Sequence, residues 1–303
     1  MKIIRSLNIK SKLPDLALTI GNFDGVHLGH LHIINQVKKI AKEKNLASAI
    51  LTFEPHPISF LRPEKSKDFR LTSLAQKLKI FSDAEIDYAI ILPFNQKFCD
   101  ISAPDFVQKI LLDALNIKHL TIGYDFTFGK NREGNFKLLE EYKLNLSEIS
   151  PIRNNDLTCS STAVRRYLHE GNIIEANKIL GHNFTISGIV NEGRKLASQL
   201  GFPTLNLSSK PHIIKPKFGV YKTLTFIPHL NKNFPSITNF GIKPTIGGST
   251  APLFETHLPG FDEKIYGKKV ITEFLDFIRE EKKFASLEDL KNQIAQDLKK
   301  IAL

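Results

Sequence analysis

Cysteine is nearly absent from this chain: 303 residues contain only Cys99 and Cys159, with no metal-ligand spacing. That excludes a disulfide framework and a metal site built from paired cysteines. No apolar stretch approaches the ~20 residues a membrane helix requires, so no membrane partner is expected. The start, MKIIRSLNIKSK, returns to lysine before an apolar run forms. It therefore predicts no signal peptide, and the cytoplasm is the expected compartment. There is no internal repeat, no low-complexity tract and no GxxxxGK[ST] phosphate loop. Acidic residues are outnumbered, 31 against 42 basic ones, giving a net charge of +11. That surplus suits polyanionic ligands, either nucleic acid or nucleotide phosphates. Many lysines (Lys38, Lys39, Lys42, Lys44, Lys291, Lys299, Lys300) fall on predicted helix faces, where a solvated surface accounts for them. Charge alone does not choose a partner.

What is present is an ordinary globular composition, 42% hydrophobic and 24% charged, over a length that suits two domains. The first part alternates short apolar runs with helical patterns. Strands are predicted at Leu16–Gly21, Ala47–Phe53, Asp87–Phe94 and His119–Gly123, and helices at Gly29–Asn45, Leu71–Ala84 and Ala103–Leu115. This rhythm predicts an α/β domain with a parallel sheet covered on both faces. After about Gly181 the rhythm changes to FTISGIV, TLNL, GVYKTLTFI, PSITNFG, LFETHL and KVITEFLDF, separated by Gly, Pro and Asn. Closely spaced strands without helices between them predict an antiparallel barrel or sandwich. At the end, Ser286 precedes Asp289 in an N-cap pattern, and Leu287, Leu290, Ile294, Leu298 and Ile301 mark one face of a terminal helix. The boundary is placed near His182, giving domains 1–182 and 183–303.

The chemistry concentrates in two places. TIGNFDGVHLGH (Thr19–His30) follows a predicted strand and opens a predicted helix. Gly21, Gly25 and Gly29 permit tight turns, and the helix N-terminus offers unpaired N–H groups to an anion. His27 and His30 flank that position, where imidazoles can stabilise charge developing on a phosphate. CSSTAVRR (Cys159–Arg166) adds three hydroxyls, Ser160, Ser161 and Thr162, at a predicted helix start, followed by Arg165. An ordinary N-cap explains one hydroxyl; three with a guanidinium form a natural phosphate clamp. GYDFTFGKNREGN (Gly123–Asn135) supplies a loop after a strand, where α/β sheets bind ligands. In the second half, GRKLASQLGFPTLNL carries Thr204 and Asn206, which strand alternation puts on one face with Leu205 on the other. FGVY, NFGIKPTIGG, FETH and IREEKKF follow it.

Taken in order, these motifs resemble the prokaryotic bifunctional riboflavin kinase/FAD synthetases over nearly the whole chain. TIGNFDGVHLGH, TFEPHP, RLTSLAQK, GYDFTFG and SSTAVR are similar to the FMN adenylyltransferase module, a Rossmann-like HxGH nucleotidyltransferase domain. GFPTLNL resembles the riboflavin kinase signature ending in PTAN, with Leu205 in place of alanine. A second departure is LPGFDEKIYG, where Pro259, Gly260 and Lys264 alter the usual loop. The resemblance implies phosphorylation of riboflavin to FMN by the C-terminal barrel and adenylylation of FMN to FAD by the N-terminal domain. ATP is the co-substrate and Mg²⁺ the cofactor of both steps.

By the same resemblance, His27 and His30 face the ATP phosphates, and Ser160, Ser161, Thr162 and Arg165 hold the triphosphate. Gly21, Asn22, Phe23, Asp24 and Gly25 shape the nucleotide loop, and Asp125 lies on the flavin side. In the barrel, Thr204 and Asn206 help hold Mg²⁺, Glu255 is the base, and Arg279 belongs to the flavin-side segment. The expected ligands are riboflavin, FMN, FAD and ATP, with no nucleic acid partner; a monomer or weak homo-oligomer suffices. Two other readings compete. An HxGH nucleotidyltransferase for nicotinamide mononucleotide or phosphopantetheine would leave the barrel motifs unused. A basic RNA-binding protein would explain the charge but neither phosphate-handling cluster.

Overall fold

The computed structural model describes residues 1–8, 12–142, 144–154, 157–192, 201–208, 212–242 and 252–301. Positions 193–200 and 243–248, parts of two kinase-like motifs, lie outside the described residues. The chain divides into two compact units, Met1–Ser161 and Thr162–Leu303.

The first unit is built on a six-stranded sheet of β1 (Lys2–Ile4), β2 (Leu16–Ile20), β3 (Ala47–Glu54), β4 (Tyr88–Pro93), β5 (Ile117–Gly123) and β6 (Asn145–Ile149). The order is β1-β4-β3-β2-β5-β6, and every neighbouring pair is parallel. All five residues of β2 are buried, as a central parallel strand covered on both faces requires. Leu16, Leu18 and Ile20 join one apolar cluster, while Ala17 packs with Val37 and Ala41 of α1 (Leu28–Glu43) on the other face. After β4 the chain crosses β2 to reach β5, so the strand order reverses at the C-terminal end of β2. That switch point is where open α/β sheets bind ligands.

Short helices α2 (Pro57–Leu61), α3 (Leu74–Asp83), α4 (Gln96–Cys99) and α5 (Ala103–Asp105) follow, then a π-helix at Phe106–Ala114 and α6 (Phe136–Glu141). Two differ from the sequence expectation. The helix expected from Leu71 begins at Leu74, because Ser73 and Gln76 form a reciprocal capping box. The residues before it are spent otherwise, since Leu71 and Thr72 donate their backbone N–H groups to Asp24 Oδ1. The helix expected at Ala103–Leu115 widens into π hydrogen bonding from Phe106, which apolar periodicity does not reveal. A small hairpin of β7 (Arg153–Asn154) and β8 (Leu157–Thr158) precedes the end of the unit.

The second unit opens within α7 (Ser161–Glu170), after its first residue, and continues into α8 (Ile173–Leu180), which Gly181 ends in the left-handed conformation at φ 75°. Six strands follow: β9 (Phe184–Asn191), β10 (Thr204–Ser208), β11 (Gly219–Ile227), β12 (Lys232–Ile242), β13 (Pro252–His257) and β14 (Lys269–Arg279). They close an antiparallel barrel in the order β10-β13-β12-β11-β14-β9. One stretch of its interior is aromatic, with Phe184, Tyr221, Phe240, Phe254 and Phe274 at no more than 1% exposure. Another is a chain of buried hydroxyls running Thr272, Thr225, Ser236, Thr223, Thr238, Thr256, with successive oxygens 2.8–3.2 Å apart. The terminal helix α9 (Leu287–Lys299) is capped by Ser286, whose Oγ accepts from Asp289 N. Leu298 and Ile301 pack with Val220, Ile237 and Ile278, but Leu287 is exposed, so the expected apolar face is shorter by its first turn.

Candidate functional site

At the switch point, the residues between β2 and α1 form a turn with unusual backbone angles. Phe23 (φ 46°), Gly25 (φ 85°) and Val26 (φ 42°) all lie in the left-handed region. Only Gly25 adopts it without a Cβ penalty, so the turn must be held by its surroundings. It is held from Arg70–Lys77. Asp24 accepts from Leu71 N at 2.9 Å, Gly25 N donates to Thr72 Oγ1 at 3.1 Å, and Lys77 Nζ donates to the Asn22 carbonyl at 2.5 Å. The Phe23 ring is buried against Phe81 and His30, and a Cβ at Gly21 would come within 3.1 Å of it.

The turn delivers His27 to the N-cap of α1 and His30 to its first turn. The two rings stack, with centroids 3.7 Å apart and planes 21° from parallel. Gly29 allows this, because a Cβ there would lie 3.2 Å from the His27 ring. Burial lowers the pKa of His30 well below 6.5, and the neighbouring His27 and Lys77 lower it further. Near neutral pH His30 is thus a neutral imidazole, a hydrogen-bonding group with no desolvated charge of its own. Ser161 Oγ donates to the Asp24 carbonyl at 2.7 Å, so the first residue of α7 is tied to the same turn. Ser160, partly buried, immediately precedes that helix. Thr162, exposed, and Arg165, partly buried, lie further along α7 in the second compact unit.

The loop after β5 carries Asp125, which is exposed, as is Tyr124. The loop is braced from below. Phe128 bridges Gly134, Lys130 N donates to Ile101 O at 2.8 Å, and Ala103 N donates to Glu133 Oε1 at 2.9 Å. At Gly129 (φ 76°) a Cβ would sit 2.7 Å from Ala103, so any other residue would lift the loop.

In the barrel, register brings the predicted residues into one row. Asn206 of β10 is directly opposite Glu255 of β13, which is opposite Asn239 of β12. The row continues through Val220 of β11 to Arg279 of β14. Thr204 lies two residues from Asn206, paired with His257. Leu205 is paired with Thr256, whose hydroxyl belongs to the interior chain, so alternation puts Thr204, Asn206 and Glu255 together on the outer face. Arg279 is held by Asp297 of α9 through Nε (2.9 Å) and NH2 (2.8 Å), and Asp297 is 2% exposed. Among the described residues, no group of three or more His, Cys, Asp and Glu side chains is placed to hold a metal ion.

Two family models match the chain, FAD synthetase over residues 9–163 and riboflavin kinase over 180–302. A bifunctional riboflavin kinase/FMN adenylyltransferase of Buchnera aphidicola subsp. Schizaphis graminum is 39% identical, over 98% of this chain and 97% of its own. The enzyme of that name from Escherichia coli strain K12 is 36% identical, over 98% and 96%. The chain belongs to the bifunctional riboflavin kinase/FMN adenylyltransferase family. A solved structure described as a macrolide-efflux protein from Streptococcus pneumoniae also superposes, with TM-score 0.89 and 26% identity over 99% of this chain and 98% of that one. Among the described residues, no helix is long and apolar enough to cross a membrane.

Within this riboflavin kinase/FMN adenylyltransferase family member, sequence reasoning left out three groups that the site geometry contains. Asn239, inside NFGIKPTIGG, shares the row with Glu255, and its Nδ2 approaches Glu281 Oε1 at 3.4 Å. Arg70 makes a two-pronged ion pair with Glu54 at 2.7 and 2.9 Å. Lys77 is 1% exposed, although the other lysine of its helix, Lys79, faces water. All three fall inside motifs visible in the sequence, but only pairing across the fold separates them from their neighbours.

Proposed function

We propose that this chain makes FMN and then FAD. The barrel unit transfers the γ-phosphoryl group of ATP to the primary hydroxyl of riboflavin, and the α/β unit transfers the adenylyl group of a second ATP to FMN. The observation that carries the reading is the coincidence of geometry with family. The stacked histidine pair at the switch point lies inside the FAD synthetase match, and the Asn206–Glu255–Asn239 row lies inside the riboflavin kinase match.

In adenylyl transfer, an FMN phosphate oxygen bonds to the α-phosphorus of ATP as the bond to the β-phosphate oxygen breaks and pyrophosphate leaves. No proton need be abstracted, so alignment and charge stabilisation supply the rate. Neutral His30, with His27 beside it, donates hydrogen bonds to the phosphates at the N-terminus of α1, where backbone N–H groups also point. Ser160, Ser161, Thr162 and Arg165 hold the triphosphate, Gly21–Gly25 shape the nucleotide loop, and Asp125 lies on the flavin side. In the kinase step, Glu255 takes the hydroxyl proton as oxygen bonds to the γ-phosphorus and ADP leaves. Thr204 and Asn206 present oxygen ligands on the face that carries Glu255, the donor chemistry a hard cation prefers. Mg²⁺ would be held there together with ATP phosphates, and would neutralise charge on them. Arg279 serves the flavin side. We assign the functional boundary to the neighbourhood of His182 and the cytoplasm as compartment, with a monomer or weak homo-oligomer and no nucleic acid partner.

The test is direct: incubate the protein with riboflavin, ATP and Mg²⁺, and separate riboflavin, FMN and FAD by chromatography. Both products are expected; the absence of both defeats the reading.

A further inference from the structure

Taking an ammonium out of water costs several kcal/mol unless the group is used, and surface lysines avoid the cost. Lys77 does not avoid it. Its side chain runs inward from α3, and Nζ meets the Asn22 carbonyl at 2.5 Å and Thr52 Oγ1 at 3.3 Å. Thr52 lies on β3, and Asn22 starts the turn that follows β2. The next residues are the ones in left-handed conformations, and the turn ends at His27. A non-glycine residue held there costs about 1–3 kcal/mol, so Phe23 and Val26 persist only because contacts fix the turn. At the Asn22 carbonyl a buried cation fixes it.

We propose that Lys77 is a positioning residue for adenylyl transfer: its buried ammonium holds the Asn22 carbonyl and so keeps the strained turn that aims His27, His30 and the N-terminus of α1. The role rests on the adenylyltransferase reading of this unit. It differs from that of a phosphate ligand, because Lys77 acts through the main chain of the nucleotide loop. The charged groups around it are Arg70, Asp24 and Glu54, with the neutral imidazole of His30 also close by. Arg70 is engaged by Glu54, and Asp24 accepts from Leu71 and Thr72, so neither carboxylate closes an ion pair on Nζ. Burial, and then repulsion from Arg70, bring the Lys77 pKa down to about 8 against the opposing pull of Asp24 and Glu54. The ammonium is therefore present below that pH and lost as pH rises through it. The neutral amine is a weaker donor to the carbonyl than the cation.

The test uses the full chain with Lys77→Met and Lys77→Arg, each checked for fold by circular dichroism. It measures FAD formation from FMN and ATP, with kcat and KM separated, from pH 6.5 to 9.5. Lys77→Met should lose ~100-fold in kcat, the scale of misplacing reacting groups by about an ångström, with a much smaller change in KM. The wild-type rate should fall above about pH 8, in step with the Nζ resonance of Lys77 followed by NMR. Lys77→Arg, whose guanidinium stays charged, should lose that alkaline fall. Wild-type kcat in Lys77→Met, an unchanged alkaline fall in Lys77→Arg, or a wild-type fall displaced by more than about one pH unit from the Nζ titration would each overturn the proposal. The last comparison needs no variant to fold. Wild-type protein that forms no FAD would instead overturn the functional reading itself.

Discussion

At the scale of single residues, His30 and Glu255 separate the two chemistries. His30 contributes only to the unit that carries the stacked pair, so His30→Ala should let FMN accumulate while FAD formation drops ~100-fold or more, as loss of one transition-state donor does. Equal loss in both steps by folded protein would defeat this separation. Because burial first, then His27 and Lys77, depress its pKa, the His30 ring should keep its neutral-form NMR shift at pH 6, where an exposed histidine is largely charged. A ring half-titrated at 6.5 would contradict the burial argument. Glu255→Gln keeps the shape and removes the basic oxygen. FMN formation should fall ~100-fold or more, while supplied FMN should still become FAD at the wild-type rate. Wild-type kinase turnover in that variant would leave substrate alignment to carry the step. The sequence pointed to both residues because each lies in a short motif. Lys77 also lies in a motif, RLTSLAQK, but its role depends on Asn22, 55 positions earlier in the chain, a pairing that only the fold makes.

At the scale of elements, α8 decides where the barrel unit can be cut. Ile173, Ala176, Ile179 and Leu180 are at most 1% exposed, and Asn177 binds both the Phe274 carbonyl and the Phe184 N–H. A fragment starting at Phe184 loses these contacts, whereas one starting at Thr162 keeps them. The shorter fragment should be less stable by about 5 kcal/mol or more, from the loss of the buried Ile173, Ile179 and Leu180 side chains. Urea melts of the two would show it, and equal midpoints would mean α8 is dispensable. The four central strands of the sheet and all six of the barrel were legible, because buried parallel strands and alternating barrel strands leave strong apolar patterns. The edge strands β1 and β6 were not: they are short, at the sheet margins, and only partly buried. Periodicity over-extends the apolar face of α9 by its first turn, since Leu287 fits the helical period yet is exposed.

For the whole molecule, two active centres on one chain need not cooperate in order to work in sequence. His30→Ala retains the kinase machinery and Glu255→Gln retains the adenylyltransferase machinery, so a mixture of the two proteins should convert riboflavin to FAD with FMN diffusing between them. Failure of the mixture, with each variant active in its remaining step, would mean that FMN passes only within a single chain. The +11 charge fits the anionic substrates without choosing among them, which is why composition alone could not decide the function. The units also differ in what fills them. The sheet unit buries polar groups such as Thr52 and Lys77 among its apolar side chains, whereas the barrel encloses a continuous row of six hydroxyls joined by five contacts. Each hydroxyl has a single proton to give. Five links can therefore be satisfied in more than one way, according to which oxygen sends its proton out of the chain. Reversing the polarity of one stretch only moves the point at which the donors change direction, as in ice. The barrel heart thus holds a row of oxygens whose positions leave the direction of each hydrogen bond open. A Thr→Val replacement at either end shortens that row, while loss of the hydroxyl at Ser236 cuts it in two.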